Sequence, residues 1–447
     1  MDINTNLMKF IDNTPNAYYC VNNLKEELLS NGFVELYENE IWNKLDNNGK
    51  YFVTRGDASL IAFKMAEVRA NIGFNIVTVH SDSPSFSIKP NASIFENNYM
   101  KLNINGYGGM INYSWLDRPL SLAGRVITVK NNVYEKQFVN IPKDLLVIPS
   151  QAIHINRGVN ESNKLNHQID MLPVVSLNSD KTLEDIIKDE LIKKGKDIDR
   201  MCDYDLYLYN RDNAKYVGLN DEFILAPRLD DLSSLYPSFK SFIESNNEKS
   251  INVFVCFNSE EIGSLTKDGA DSTFLIDTLT RISHASSIEL IPALCNSFVV
   301  SADNAHAIHP NASMKSDLTN KVELNNGIVI KRHVNYTTDA ISSSLFKEIC
   351  TNAEIPYQDF TCRADMICGA TLGGISQSHV GVDSVDIGIS QLAMHSANET
   401  IGSKDSLYMY KAILEFYNST INKQKNKIII DKYEIYVIIY LTTKSGT

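Results

Sequence analysis

The chain has 447 residues and a formal net charge of -12, with 54 acidic side chains against 42 basic ones. Hydrophobic content of 43% and charged content of 21% suit a globular protein with a large core, and the length exceeds one ordinary core, so two domains are expected. The acidic balance excludes a surface built for nucleic acid or anionic membrane, no apolar run approaches a membrane span, and the start carries no basic region followed by an apolar stretch of the signal-peptide kind.

The first expected helix begins at Thr14, an N-cap candidate followed by Pro15. It continues through Ala17, Val21, Leu24 and Leu28 at helical spacing and stops at Gly32. A second helix is expected over Ser59 to Ala70. The extended run Phe74 to Val79 ends in His80-Ser81-Asp82-Ser83-Pro84, and Pro84 and Pro90 exclude a helix directly after it. From about Lys89 to about Asp221 the texture is β-rich. There Leu120 to Val129 and Val133 to Val139 flank Asn131-Asn132, a hairpin signal, and Leu183 to Lys194 reads as a helix. Helix and strand alternation resumes after Phe223. The pattern predicts an α/β domain built from residues 1–88 and 223–420, interrupted by a β-rich domain over 89–222. A tail over 421–447 follows, in which Ile428 to Leu441 is apolar, β-prone and without an assigned role. Seven scattered cysteines with no C-x-x-C pair signal neither a disulfide framework nor a thiolate zinc site, and fit a reducing, cytoplasmic setting.

Four apolar runs lead into side chains suited to a metal ion. Ile76 to Val79 ends in His80-Ser81-Asp82, and Ile251 to Cys256 leads to Glu260-Glu261. Phe298 to Val300 ends in Ser301-Ala302-Asp303, and Val385 to Ile389 leads on to Met394-His395-Ser396. A fifth candidate, Arg228-Leu229-Asp230-Asp231, follows Pro227. Sites in open α/β sheets gather beyond the carboxyl ends of the strands, so these distant segments are expected to converge. Two histidines with several carboxylates are the donor set of hydrolytic zinc or manganese centres. In a two-metal centre one carboxylate bridges the ions, which activate a water and polarise the scissile carbonyl, while a separate carboxylate takes the water's proton. The adjacent glutamates can divide that labour, Glu261 on the metal and Glu260 as base, and Asp82 can hold the His80 imidazole in one tautomer. Taken singly, these residues have ordinary readings: an incidental His-x-Asp, a cap at Asp303, a packed His395, a glutamate pair placed by a helix dipole. Their joint occurrence at strand ends favours a metal centre.

Further segments complete an ordered set: Tyr107-Gly108-Gly109, Trp115-Leu116-Asp117-Arg118, Leu122-Ala123-Gly124-Arg125-Val126, Ala152-Ile153-His154, and Ser301 to Asn311. In that set and order the chain resembles the aspartyl aminopeptidase family of dinuclear zinc metallopeptidases, from about residue 10 to about 420. The resemblance implies a three-layer α/β metallopeptidase domain with a mixed central sheet. It also implies that the inserted β-rich domain serves dimerisation, with dimers assembling into tetrahedral dodecamers. Two divalent ions per subunit are implied, zinc first, with cobalt or manganese as alternatives. One would be held by His80, Asp230 and Asp303, the other by Asp230, Glu261 and His395, with Asp230 bridging. Glu260 would be the general base and Asp82 would orient His80. His154 would reach a neighbouring subunit's site to contact substrate or stabilise the oxyanion, and Lys331 would lie near the substrate pocket. A three-histidine set of His80, His154 and His395 ranks lower, because carboxylates already complete both shells. His306 and His309 are read as structural.

The implied activity is removal of N-terminal residues, acidic ones first, from peptides. The alternatives are the same chemistry on neutral or hydrophobic N-terminal residues, and a catalytically silent oligomeric scaffold, which has no need of Glu260 beside Glu261. Expected partners are peptides and further copies of the chain, with no nucleic acid and no membrane.

Overall fold

The computed structural model describes residues 2–67, 72–162, 164–369, 371–424, 427–432 and 435–440. Among them, nine strands form a mixed sheet in the order Val34–Leu36, Lys50–Arg55, Ser59–Lys64, Ile251–Phe257, Phe74–His80, Phe298–Ala302, Ser384–Gly388, Ile328–Lys331 and Tyr357–Phe360. The four from Ile251–Phe257 to Ser384–Gly388 are parallel neighbours, so their carboxyl ends share one edge.

The alternation of side chains about these strands explains their unbroken apolar runs. Phe254 and Cys256 enter one apolar cluster with Phe239, Phe346 and Phe416, while Val253, Val255 and Phe257 enter another with Phe274, Leu279 and Leu372. Helices Ile3–Asp12, Ala17–Ser30, Leu229–Glu244, Ala340–Asn352 and Asp405–Asn418 contribute to the first cluster. Phe274–Ala285, Leu290–Cys295 and Leu372–Val380 contribute to the second. The result is helix, sheet, helix: the three-layer α/β architecture that the resemblance implies.

Two smaller sheets accompany the nine-stranded one. Six antiparallel strands run in the order Val133–Asn140, Leu120–Lys130, Arg200–Asn210, Ser85–Glu96, Tyr99–Tyr107 and Val174–Leu177. They have a core of their own that includes Phe86, Trp115, Leu122 and Leu206. Helix Leu183–Lys193, started by a capping box between Thr182 and Asp185, buries Leu183, Ile187 and Leu191 in that core. A five-stranded sheet joins Lys215–Val217, Phe223–Ala226, Glu399–Gly402, Ser390–Leu392 and Ala305–His306. In the tail, Thr420–Gln424, Lys427–Lys432 and Ile435–Tyr440 pair antiparallel, and Ile421 and Ile430 close onto the first apolar cluster.

The structure corrects three expectations. Ser59–Lys64 is a strand, not the start of a helix, and 68–70 lie outside the described residues. Leu60 and Ala62 pack on one face of the sheet and Ile61 and Phe63 on the other, a period of two that a run apolar on every side conceals. The first predicted helix is preceded by Ile3–Asp12 and runs Ala17–Ser30, with Asn16, not Thr14, accepting the Tyr19 amide at 3.3 Å. Thr14 is buried and accepts from Asn23 Nδ2 at 3.1 Å. Finally, Cys362 and Cys368 form a disulfide across six residues, a pairing made by a loop and invisible to C-x-x-C spacing.

Candidate active site

The site lies at the carboxyl edge of the parallel strands. His80 is the last residue of Phe74–His80, and Asp303 follows Phe298–Ala302 directly. After Ile251–Phe257 the chain enters a single 3₁₀ turn, Glu260–Ile262, bracketed by Ser259 (φ 64°) and Gly263 (φ 94°). Gly263 supplies the left-handed conformation that reverses the chain there, and the turn replaces the long helix that would have made Glu260-Glu261 an ordinary first-turn pair. Asp230 follows Arg228, also left-handed at φ 58°, and the Asp230–Asp231 peptide is cis. His395 sits in the loop between Ser390–Leu392 and Glu399–Gly402.

Three groups of ligand atoms each fall within 4.8 Å of one another: His80 with Asp230, Asp231 and Asp303; His80 with Glu260 and Glu261; and Asp230 with Glu261 and His395. Asp230 is central. Its Oδ1 lies 3.4 Å from His80 Nε2 and its Oδ2 lies 3.5 Å from His395 Nε2, so its two oxygens address different histidines. Glu261 Oε2 is 3.4 Å from His395 Nε2, and Asp303 Oδ1 is 3.8 Å from His80 Nε2.

Both imidazoles present Nε2 because each Nδ1 faces a backbone carbonyl, which can only accept: Asp82 at 3.0 Å for His80, Gly109 at 3.0 Å for His395. The Asp82 carboxylate stands farther from His80, at 3.6 Å. It instead accepts the Glu260 amide at 3.1 Å, the Glu261 amide at 3.2 Å and the Tyr107 hydroxyl at 2.8 Å. Asp231 Oδ2 accepts the His80 amide at 3.3 Å. Glu399, fully buried, accepts the amides of Asp230 at 3.0 Å and His395 at 2.6 Å.

Seven carboxylates thus crowd the site (Asp82, Asp230, Asp231, Glu260, Glu261, Asp303 and Glu399), with His80, His395 and Lys331 as the cations among them. The titration of these groups follows from the crowding. Burial, then neighbouring Asp303, raises Asp231, and burial with Asp230 raises Glu261. Burial pushes Glu260 up to about 7 and Glu399 up to about 8. Asp230 goes the other way: burial would raise it, but its two histidine partners hold it below the usual carboxylate range. Burial works against both imidazolium charges, yet the carboxylates outweigh it, raising His80 and lifting His395 to about 10.

Asp230 Oδ1, Asp231 Oδ1 and Glu261 Oε1 are buried with no hydrogen-bond partner. Orphaned carboxyl oxygens beside two inward-facing Nε2 atoms are what a cation would satisfy by displacing the protons they hold, and an all-nitrogen-and-oxygen donor set suits zinc, cobalt or manganese. The residues therefore fit divalent metal.

A pocket of about 750 Å³ opens onto the cluster. Glu260 lines it and Glu261 does not. Lys331, buried with Nζ 3.4 Å from Asp303 Oδ2, lines it too, as do His306, His309, Lys315 and Arg363. His154 is elsewhere: it is exposed on the turn 153–155, outside all three groups.

Sequence reasoning did not find Glu399, the supporting place of Asp231, or the contributions of Tyr107 and Gly109. The segment Tyr107-Gly108-Gly109, one of the ordered set in the sequence, supplies the last two. At Gly108 (φ 76°) a Cβ would stand 3.1 Å from the Glu261 Cβ, so this glycine lets the antiparallel sheet's chain pass against the ligand turn.

Two histidines and clustered carboxylates at the carboxyl edge of a mixed sheet, fronted by a pocket, define an α/β metallohydrolase. The chain belongs to the M18 family: residues 10–417 match the family profile described as aminopeptidase I zinc metalloprotease (M18). It is 43% identical over 426 residues to a probable M18 family aminopeptidase 2 of Clostridium acetobutylicum, covering 92% of this chain and 98% of that one. Among solved structures, one of the Ape4 and Nbr1 complex superposes with a TM-score of 0.90 at 33% identity, covering 93% of this chain and 85% of that one. The S. cerevisiae mApe1 dodecamer does so with a TM-score of 0.81 at 26% identity, covering 93% and 96%. The protein is a metal-dependent aminopeptidase of that family, and no helix among the described residues is long and apolar enough to cross a membrane.

Proposed function

We propose that this aminopeptidase works with two divalent ions, zinc in the first instance, and that Glu260 is its general base. His80, Asp230 and Asp303 would hold one ion, Asp230, Glu261 and His395 the other. Bound there, the ions would supply Lewis acidity, activating a water and polarising the substrate carbonyl. The observation that supports the division of labour is the split of the glutamate pair. Glu261 approaches His395 and does not line the pocket, whereas Glu260 lines it. Lining the pocket without serving as a ligand, the Glu260 carboxylate is placed to take a proton from water and return it to the leaving amine. Asp82, by gripping both amides, keeps the two glutamates aimed in their different directions. Glu260→Gln should abolish turnover while zinc content, measured by atomic absorption, stays near that of the parent protein; retained turnover would refute the role.

The preferred N-terminal residue is proposed to be acidic. Lys331, Lys315 and Arg363 line the pocket and favour an anionic side chain there. The alternative is a neutral or hydrophobic N-terminal residue, and equal turnover of Asp-, Glu- and Leu-capped peptides would remove the acidic preference.

Residues 1–88 and 223–420 are proposed as the catalytic domain and 89–222 as the insert through which subunits assemble, to a dodecamer like that of the yeast relative. Ile153 and Ile155 are 45% and 78% exposed beside His154, an apolar surface suited to a subunit contact. His154 would then reach a neighbouring subunit's pocket. Sedimentation would test this, since a monomer with full activity excludes a contribution in trans. Five unpaired cysteines among the described residues favour the proposed cytoplasmic setting, and the single Cys362–Cys368 bond weighs against it.

A further inference from the structure

We propose that Glu399 is a positioning residue that sets the spacing of Asp230 and His395 by binding the backbone amides of both. The inference rests on the metal centre proposed above and concerns a residue outside its ligand set.

Glu399 opens the strand Glu399–Gly402, where it pairs with Ala226, four residues before Asp230 in sequence. It also closes the loop that holds His395. Its carboxylate is therefore rooted in regular structure between two irregular segments. Those segments are strained: Arg228, Ala393 and His395 have φ of 58°, 56° and 65°. Left-handed backbone is unfavourable for a residue with a side chain, so each segment needs an outside hold to keep its ligand in place. The holds are Oε2 to the Asp230 amide at 3.0 Å and Oε1 to the His395 amide at 2.6 Å.

Only a carboxylate can make both contacts, because both donors are N–H groups. A glutamine offers one accepting oxygen and would turn an NH₂ toward the second amide. Asp82 does the same for Glu260 and Glu261, and Asp231 holds the His80 amide, so buried carboxylates grip the backbone of every proposed metal or base residue except Asp303. Asp303 needs none, since its amide continues the sheet by donating to Ile387 at 3.0 Å. Glu399 is the member of this set that joins two ligands drawn from different loops.

The test uses the full-length protein, stripped with chelator and titrated with zinc against a chromophoric competitor. The parent protein should bind two equivalents. Glu399→Gln should lose about 10- to 100-fold in affinity at the equivalent that His395 and Asp230 both hold, and less at the other, which shares only Asp230 with it. Its metal-free thermal midpoint should stay within a few degrees of the parent's, a result that a purely structural role for Glu399 would not give. Glu399→Asp keeps the charge but is too short to span both amides, so it should weaken the same equivalent and carries the test if the glutamine variant does not fold. Unchanged affinity at both equivalents in either folded variant overturns the inference. A parent protein that takes up no zinc instead overturns the metal centre itself.

Discussion

Strand Ile251–Phe257 buries all seven of its residues, whereas Val133–Asn140 leaves its first four exposed. The first belongs to the nine-stranded sheet, covered by helices on both faces; the second is an edge of the antiparallel sheet. A strand covered on both faces carries charge along its length only where hydrogen bonds satisfy it, as Thr337 and Thr371 do for Asp386, so most polar chemistry is driven to its end. In this molecule four such ends lie side by side, and His80, Glu260, Glu261 and Asp303 collect there. A half-covered strand spreads its polar residues along one face, and the antiparallel sheet forms no comparable cluster among the described residues. Its link to the site is made by a hydroxyl and a carbonyl, those of Tyr107 and Gly109.

This contrast is open to experiment, beginning where the effect is largest. Removing divalent ions with chelator should abolish peptide hydrolysis, and zinc, cobalt or manganese should restore it. The same treatment should lower the thermal midpoint, since a ligand at a hundred times its Kd stabilises the folded state by about 2.7 kcal/mol. Full hydrolysis by verified metal-free protein would end the metal reading of the carboxyl edge.

Packing gives the next effect. Phe254 is fully buried with its ring 5.3 Å from Phe239, and Phe254→Ala should cost about 3–5 kcal/mol in urea unfolding. Val133 is 57% exposed, and Val133→Ala should change stability by less than about 0.5 kcal/mol. Similar costs at the two positions would mean the sheets are not covered differently after all.

A third measurement separates buried charge at the site from buried charge elsewhere. Asp405, fully buried at the start of its helix, accepts the Asn325 amide at 2.8 Å and the Ser390 hydroxyl at 3.0 Å, and burial pushes it up to about 7. Its folded value lies above its unfolded one, so the folded state holds the extra proton between them. Stability from this group is complete below about pH 4 and declines as pH rises through 7, by an amount of the order of a few kcal/mol. Asp405→Asn should remove that decline in metal-loaded protein and leave turnover unchanged; an unaltered pH slope would contradict the assignment.

The sequence made the ends of the buried strands legible because an unbroken apolar run followed by histidine or paired acids has few other uses. The Asn131-Asn132 hairpin and the Leu183–Lys193 helix were legible from local turn chemistry and period. Ser59–Lys64 was not, since a segment buried on both faces shows no period. Glu399 was hidden for a different reason. Its work is done on backbone amides 169 and four residues away, and an amide has no letter in a sequence. The Cys362–Cys368 bond was hidden likewise, because loop closure and not spacing brings the two together.

The smallest expected effect lies in the antiparallel sheet, at the turn between Lys130 and Val133. Asn131 and Asn132 both have positive φ, 49° and 61°, the requirement of a two-residue type I′ turn, for which Asn-Gly is the preferred pair. Asn132→Gly should therefore raise stability by no more than about 0.5 kcal/mol, because relief at the turn is partly offset by the greater freedom of glycine in the unfolded chain. Asn132→Val should lower it by roughly 1–2 kcal/mol, since a β-branched residue resists left-handed backbone. Neither change should alter kcat. A shift in kcat that tracked these small changes would show that the antiparallel sheet is coupled energetically to the carboxyl edge, with Tyr107 on Asp82 as the route, and the two regions would then be one functional unit.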